Sequence, residues 1–114
     1  MRGVDTRDSW SASEKKIARR AFDAALEVAL AKTMAEFKSK ASAATQPSEM
    51  WEVEDFLREQ RPEIDWMFDY RYSQLLDVFT RLILAGHMDE ALIAGLSQDK
   101  LETIRSYLAY AAKR

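Results

Sequence analysis

The sequence predicts an all-α protein built from a few long helices, and three observations support this fold class. Only 3 glycines and 2 prolines interrupt the 114 residues, so the chain has few places to turn. Hydrophobic residues make up 47% of the chain and charged residues 32%, a balance typical of a single folded domain. Apolar side chains recur at helical spacing, and no segment alternates as a strand would.

The first helix is predicted from about Ala12 to about Ala44, after an arm of residues 1–10 that we expect to be disordered. Ser11 and Glu14 form the S-x-x-E pattern of a capping box. One stripe of this helix is charged (Lys16, Arg20, Asp23 and Glu27), and its apolar surface is wider than one neighbouring helix would cover. At ~1.5 Å per residue the helix is roughly 50 Å long, too long for so short a chain to cover. We therefore expect a second copy to pack against it.

The second helix follows a turn at residues 45–48 and is predicted from about Glu49 to Gln60. Pro62 is expected to end it and to begin a third helix, because proline suits a first helical turn but has no amide for a helix interior. The third helix is predicted to reach Ala85, where Gly86 caps it. Its apolar stripe consists of Ile64, Phe68, Tyr72, Leu75, Phe79 and Leu82.

Two helices are predicted to complete the chain, one over residues 90–94 after an Asp89 cap and one over residues 98–112 after a Ser97 cap. Their pattern resembles a helix-turn-helix, with Ala91, Gly95, Ser97, Leu101 and Ile104 at the expected positions. The second helix would however present Asp99 and Glu102 to DNA, beside Gln98 and Thr103, and these acids would repel phosphates. A DNA-binding regulator is therefore the lesser alternative.

The sequence carries no pattern that indicates catalysis, a cofactor or a metal. There is no cysteine, and the one histidine, His87, lies in a turn where we expect it to be solvated, with Glu90 as half a metal site at most. The carboxylates Glu49, Glu52, Asp55 and Glu59 indicate a solvated or interface-paired helix face. No glycine-rich phosphate loop or catalytic triad is present. We expect a protein that is not an enzyme and acts by binding another protein.

Net charge and hydropathy indicate where the protein works and what it does not bind. The net charge of −2 gives no general attraction to nucleic acid or anionic lipid. No stretch approaches the ~20 apolar residues of a membrane span, and residues 1–8 do not resemble a secretory signal. We therefore expect a cytoplasmic protein that binds neither membrane nor nucleic acid.

The segment over residues 66–72 is dense in aromatic rings. Phe68 and Tyr72 lie on the apolar stripe and are predicted to join the core. Trp66, Met67, Tyr70 and Arg71 point elsewhere, and aromatic residues, Met and Arg are enriched in protein interfaces. We expect these four to contact another chain or another part of the molecule.

Residues 51–65 resemble the W-x-x-x-D-F-L…R-x-E-I-D stretch of the fluorescence recovery protein family of cyanobacteria. The matching residues are Trp51, Asp55, Phe56, Leu57, Arg61, Glu63, Ile64 and Asp65. The resemblance implies an all-helical antiparallel homodimer, with a helical hairpin stalk and dimerisation region over residues 11–61 and a compact helical head over residues 62–114. It also implies a partner, the photoactivated orange carotenoid protein, whose return to the resting orange state the family accelerates, ending photoprotective quenching.

The resemblance also implies which residues act. The dimer interface and its functional patch are expected at Met50, Trp51, Glu54, Asp55 and Arg61. The partner-binding head is expected at Asp77, Phe79 and Thr103. The chain departs from the family pattern at Glu54 (family His), Pro62 (family basic residue), Asp77 (family Phe) and Thr103 (family Lys). These changes leave open a related dimer that serves a different protein partner in an organism without phycobilisomes.

Overall fold

A computed structural model describes residues 9–113, and every regular element in this part of the chain is helical. The all-α prediction is confirmed. Residues 1–8 of the predicted arm lie outside the described residues. The elements are α1 (Ala12–Ala43), α2 (Pro47–Met67), α3 (Leu75–Leu84), a 3₁₀ helix (Glu90–Ile93) and α4 (Gln98–Ala112).

The helix caps follow the sequence closely. Ser11 and Glu14 form the predicted capping box of α1, with both hydrogen bonds at 3.1 Å. The side chains of Asp89 and Ser97 accept backbone hydrogen bonds at the starts of the 3₁₀ helix and α4. Gly86 has φ of 78°, the left-handed conformation in which glycine commonly ends a helix. The short helix predicted over residues 90–94 is a single 3₁₀ turn that ends at Ile93.

Pro62 does not end the second helix, and the prediction that it would is wrong. α2 continues through Pro62 to Met67, and the Phe68 amide donates to the Ile64 carbonyl at 3.0 Å. A proline here leaves the Arg58 carbonyl without its helical donor. Because Arg58 and Pro62 are both exposed, water can solvate that carbonyl and the helix persists.

Residues 68–74 form a turn rather than the first half of a third helix. α3 therefore begins only at Leu75, and the predicted continuous helix over residues 62–85 is wrong in its first half. Phe68 and Tyr72 still pack against the core, as predicted, although no helix carries them there. The spacing of apolar residues identifies which side chains face the core, but a turn can place those side chains in the core as well as a helix can.

The core lies between the first half of α1 and the elements after residue 74. Three small residues of α1, Ala18, Ala21 and Ala25, are fully buried in this core. The largest fully buried side chains are Phe79, Leu75, Leu76, Leu82, Ile93, Ile104 and Val78. Trp10, which we assigned to the arm, is also buried. The head core therefore draws on residues before 62 as well as after it.

The α1–α2 hairpin extends away from this core. The described chain measures 65 × 32 × 22 Å, and no residue of α2 is buried. In α1 the last buried residue is Ala29, so the fourteen residues after it, through Ala43, belong to the protruding part. Below, this part together with α2 is called the stalk.

Candidate protein-binding surfaces

The stalk exposes large apolar side chains that nothing in the described chain covers. The exposed fraction is 49% for Leu30, 56% for Met34, 58% for Met50 and 63% for Trp51. We call these four residues and Leu57, which is 39% exposed, the stalk surface. Leu30 lines one groove with Leu57 and another with Met34, and neighbouring exposed apolar side chains mark a binding site more often than an isolated one does.

Helical spacing places the predicted patch residues on adjoining rows of α2. Met50, Glu54, Leu57 and Arg61 follow one another at intervals of three or four residues and share one face. Trp51 and Asp55 form the neighbouring row. The structure thus brings the five predicted residues onto one side of the stalk, where the polar ones flank the stalk surface.

Arg61 lines a groove between α1 and α2 with a volume of about 410 Å³. The groove is lined by Leu30, Thr33, Leu57, Gln60, Arg61, Ile64 and Asp65. Apolar residues with polar and charged neighbours are the usual composition of a protein interface. Glu54 is already engaged, since its carboxylate lies 3.0 Å from the Arg58 guanidinium.

The α2 carboxylates divide into one structural residue and several exposed ones. Glu49 accepts hydrogen bonds from the Thr45 and Gln46 amides at 3.2 and 2.8 Å, and these bonds lower the pKa of its carboxyl. Glu49 therefore caps the start of α2. Glu52, Asp55 and Glu59 are exposed, as a solvated or interface-paired face requires.

The head has a second groove, of about 560 Å³, between α3 and α4. We call it the head groove, and it is lined by Asp77, Thr80, Arg81, Leu84, Ser106, Tyr107 and Tyr110. Beside it the Arg81 guanidinium stacks on the Trp66 ring, 4.2 Å from its centroid. Trp66, Leu84 and Tyr110 are all more than half exposed. Trp, Tyr and Arg are the residues that most often dominate binding energy.

Two of the three predicted head residues lie at or near this groove. Asp77 is half-buried and lines it. Thr103 is half-buried one helical turn before Tyr107, and its hydroxyl donates to the Asp99 carbonyl at 3.0 Å. Phe79 has no exposed surface and belongs to the core, so its assignment as a partner contact is wrong. Arg81, Leu84 and Tyr110 were not predicted, because sequence spacing does not show which face of α3 meets α4.

Rings from residues 68–72 meet the start of α1. Tyr70 packs edge-on against Phe22 with centroids 4.8 Å apart, and Tyr72 lies 5.6 Å from Tyr70 and 5.7 Å from Trp10. Burial, with a smaller effect of the neighbouring Tyr72 hydroxyl, raises the pKa of the Tyr70 hydroxyl to about 12, and this hydroxyl is buried without a hydrogen-bond partner among the described residues. Tyr70 and Met67 therefore contact the head, one of the two outcomes predicted for them.

His87 is half-buried, and the prediction of a solvated side chain is wrong. Its Nδ1 atom is buried without a hydrogen-bond partner among the described residues. Burial, with a smaller effect of the Lys32 charge, lowers the pKa of the imidazole. Within residues 9–113 no group of three or more His, Asp or Glu side chains is arranged to hold a metal ion. Over the same residues, none of the helices combines the length and apolar character that a bilayer-spanning helix needs.

The helix-turn-helix pattern is only partly realised. Its first helix is one 3₁₀ turn, and Ala91, which was predicted to pack, is exposed. Ile104 is buried as expected. Asp99 and Glu102 are exposed on α4, as predicted, where they would meet DNA phosphates.

Comparison with known proteins gives consistent matches. A family model described as photoprotection regulator fluorescence recovery protein matches residues 10–108. The fluorescence recovery protein of Synechocystis sp. is 32% identical over 97 residues, which cover 85% of this chain and 89% of that protein. The solved structure of the Fremyella diplosiphon fluorescence recovery protein superposes with a TM-score of 0.82 at 35% identity, covering 90% of this chain and 99% of that chain. The solved Synechocystis structure gives the same TM-score of 0.82 at 32% identity, with the same coverage of 90% and 99%.

Proposed function

Because the chain belongs to the fluorescence recovery protein family of photoprotection regulators, as residues 51–65 predicted, we propose that it is a non-enzymatic homodimeric regulator. Its partner is the photoactivated orange carotenoid protein. By binding that partner it accelerates the return to the resting orange state and so ends photoprotective quenching. In this proposal it requires no cofactor and works in the cytoplasm.

The observation that carries the dimer is the stalk surface. Met50 and Trp51 are each more than half exposed, and so is Met34 on the facing helix. A second copy in antiparallel orientation would bury these side chains, at about 25 cal/mol for each Å² of apolar surface removed from water. In this arrangement Glu54, Asp55 and Arg61 border the seam and form a polar rim.

The regulator acts by differential binding. A protein that binds one conformation of its partner more tightly shifts the equilibrium by that difference in affinity alone. To speed the return, it must bind the transition state for recovery more tightly than the activated state. The head groove, with Asp77 on its wall and Trp66 beside it, offers the partner exposed aromatic and apolar contacts.

A second candidate is a related dimer that serves a different protein. The observation that favours it is the chemistry at the head, where Asp77 and Thr103 occupy positions at which the family resemblance leads us to expect Phe and Lys. An aspartate cannot fill an apolar pocket on a partner without losing its hydration. This candidate keeps the dimer and changes only what the head recognises.

One experiment tests the proposal and separates it from the second candidate. The purified protein is mixed with light-activated orange carotenoid protein from a cyanobacterium, and red-to-orange recovery is followed in the dark. Acceleration in proportion to added protein supports the proposed function. Unchanged recovery, with light scattering still reporting a dimer, favours a different partner. A monomer at micromolar concentration would contradict the dimer itself.

A further inference from the structure

The exposed charges at the start of α1 all have one sign. Over residues 12–22 the exposed charged side chains are Lys15, Lys16, Arg19 and Arg20, which we call the basic surface. The remaining charged residue of this stretch, Glu14, is buried and paired with Lys100. At helical spacing the four cations form two adjacent rows, one of Lys15 and Arg19 and one of Lys16 and Arg20, and the second row continues into the exposed acids Asp23 and Glu27.

The two rows differ in how they are held. The Lys15 ammonium lies 5.2 Å from the centroid of the Tyr72 ring, and the Arg19 guanidinium lies 4.7 Å from that of Tyr70. Arg19 also pairs with Asp23 at 3.2 Å. The first row is therefore fixed on the head by ring contacts. Lys16 and Arg20 make no hydrogen bond, ion pair or ring contact with the described residues, so the second row is available to a partner.

The α2 helix is charged in the opposite sense. α2 carries two arginines, Arg58 and Arg61, against seven acids: Glu49, Glu52, Glu54, Asp55, Glu59, Glu63 and Asp65. The whole chain has a net charge of −2. Such segregation orients an approaching acidic surface toward α1 and repels it from α2. An extended polyanion, such as nucleic acid or an anionic membrane, would also meet the acids of α2.

We propose that the basic surface is a docking site for an acidic surface of the protein partner and that it sets the rate of association. This inference rests on the proposed function, since it adds a contact to the same encounter. The basic surface lies on α1, whereas the head groove lies between α3 and α4, so it extends the area of the head that a partner can touch. Complementary charges raise association rates more than they lengthen the lifetime of a complex, and added salt screens them.

The test is charge reversal at the second row, in Lys16→Glu with Arg20→Glu. Both side chains are exposed and without partners in the described chain, so the fold should be unaffected. The matched control is Arg105→Glu with Lys113→Glu, two exposed cations of the head that change the net charge equally. Association with light-activated orange carotenoid protein is measured by stopped flow at low salt and at ~1 M salt.

We expect the Lys16/Arg20 variant to associate about tenfold or more slowly at low salt, with the difference largely lost at ~1 M salt, where the screening length is roughly 3 Å. The control should differ from the unmodified protein by less than about threefold. If the unmodified protein does not accelerate recovery at all, the proposed function fails. If it does, but the variant and the control associate equally fast, the basic surface is not a docking site.

Two further measurements decide the occupant. Salt-sensitive self-association that the Lys16/Arg20 variant abolishes would assign the site to α2 of another copy and overturn the proposal. Binding to phosphatidylserine-containing vesicles that depends on Lys16 and Arg20 would assign it to a membrane and overturn it as well. Slower association with the protein partner, with neither of these effects, supports it.

Discussion

Within the head, the Lys100 ammonium lies 3.3 Å from the Glu14 carboxylate, and this ion pair joins the first turns of α1 and α4. The Lys100 side chain is 2% exposed and that of Glu14 is 11% exposed. The second Glu14 oxygen accepts a hydrogen bond from the Ser97 amide at 2.8 Å, and Lys100 also donates to the Ser9 carbonyl at 2.6 Å. One carboxylate therefore caps α1 and anchors the start of α4.

Replacing Lys100 while Glu14 remains should destabilise the folded protein. Lys100→Met leaves the Glu14 carboxylate buried without its partner, and we expect the free energy of unfolding to fall by about 3–5 kcal/mol. Lys113→Met, at the exposed end of α4, should change it by less than about 0.5 kcal/mol. Urea denaturation measures both. The double change Glu14→Gln with Lys100→Met should recover part of the loss, because no unpaired charge remains. If it recovers nothing, the two charges do not stabilise one another.

Glu14 should also make stability depend on pH. Burial alone would raise the pKa of its carboxyl, but hydrogen bonds from the Ser97 and Ser11 amides and the contact with Lys100 lower it below the usual 4.5. The pKa of Glu14 is lower in the folded protein than in the unfolded chain, so ionised Glu14 stabilises the fold at pH values above the unfolded-chain pKa. This stabilisation is lost as the pH falls through the pKa of the folded protein. Below about pH 4.5 the unmodified protein should therefore lose stability more steeply than Glu14→Gln. A Glu14→Gln profile parallel to the unmodified one would contradict this account.

Replacing either of the two prolines of α2 with alanine should change the free energy of unfolding, but in opposite directions. Pro62→Ala returns an amide donor to the Arg58 carbonyl in the helix interior, and we expect a gain of about 1–3 kcal/mol in the free energy of unfolding. Pro47→Ala, at the first position of the helix, removes a residue that fits there and frees the unfolded chain, so a loss of about 0.4–1 kcal/mol is expected. Thermal unfolding of both variants checks the signs. A loss on Pro62→Ala would mean that the proline makes a contact that stabilises the stalk.

A charge in the stalk surface should break the proposed dimer. Met50→Glu would bury a carboxylate in the apolar seam, which costs roughly several kcal/mol and should raise the dimer dissociation constant more than a hundredfold. The control Gln98→Glu adds the same charge at the exposed start of α4. Analytical ultracentrifugation over a concentration series compares the two variants. Equal dissociation constants would show that Met50 lies outside the interface.

The head groove should bind the partner protein more tightly when an aromatic residue and a lysine are introduced at or near it. In Asp77→Phe with Thr103→Lys, the phenyl ring can desolvate an apolar pocket of the partner, and the lysine adds attraction to acidic surface. We expect at least about tenfold tighter binding to activated orange carotenoid protein, ~1.4 kcal/mol, with faster orange recovery and an unchanged dimer. Binding no tighter than that of the unmodified protein would show that these two positions do not meet this partner.

The features that the sequence identified depend on residues close together along the chain. The capping box joins Ser11 and Glu14, which are three positions apart, and Ser97 likewise caps α4 through Lys100. The expectation that α1 has more apolar surface than one neighbouring helix can cover followed from helical periodicity and from the length of that helix, whereas the assignment of Met50 and Trp51 to an interface came from the family resemblance. Such interactions need only the local helix to form, and spacing along the chain therefore reveals them.

What the tertiary structure decided depends on which elements meet. Glu14 and Lys100 are 86 positions apart, and nothing in their local sequence marks either as half of a buried pair. Phe79 lies at the same kind of apolar position as many exposed residues, and only the packing of α3 against α4 and the rest of the core buries it. Pro62 stays within a helix because that part of α2 is solvated. Burial is a property of the assembled core and not of local sequence. Local spacing therefore determined the caps and apolar faces of the helices, whereas tertiary packing determined which side chains stay exposed and can contact a partner.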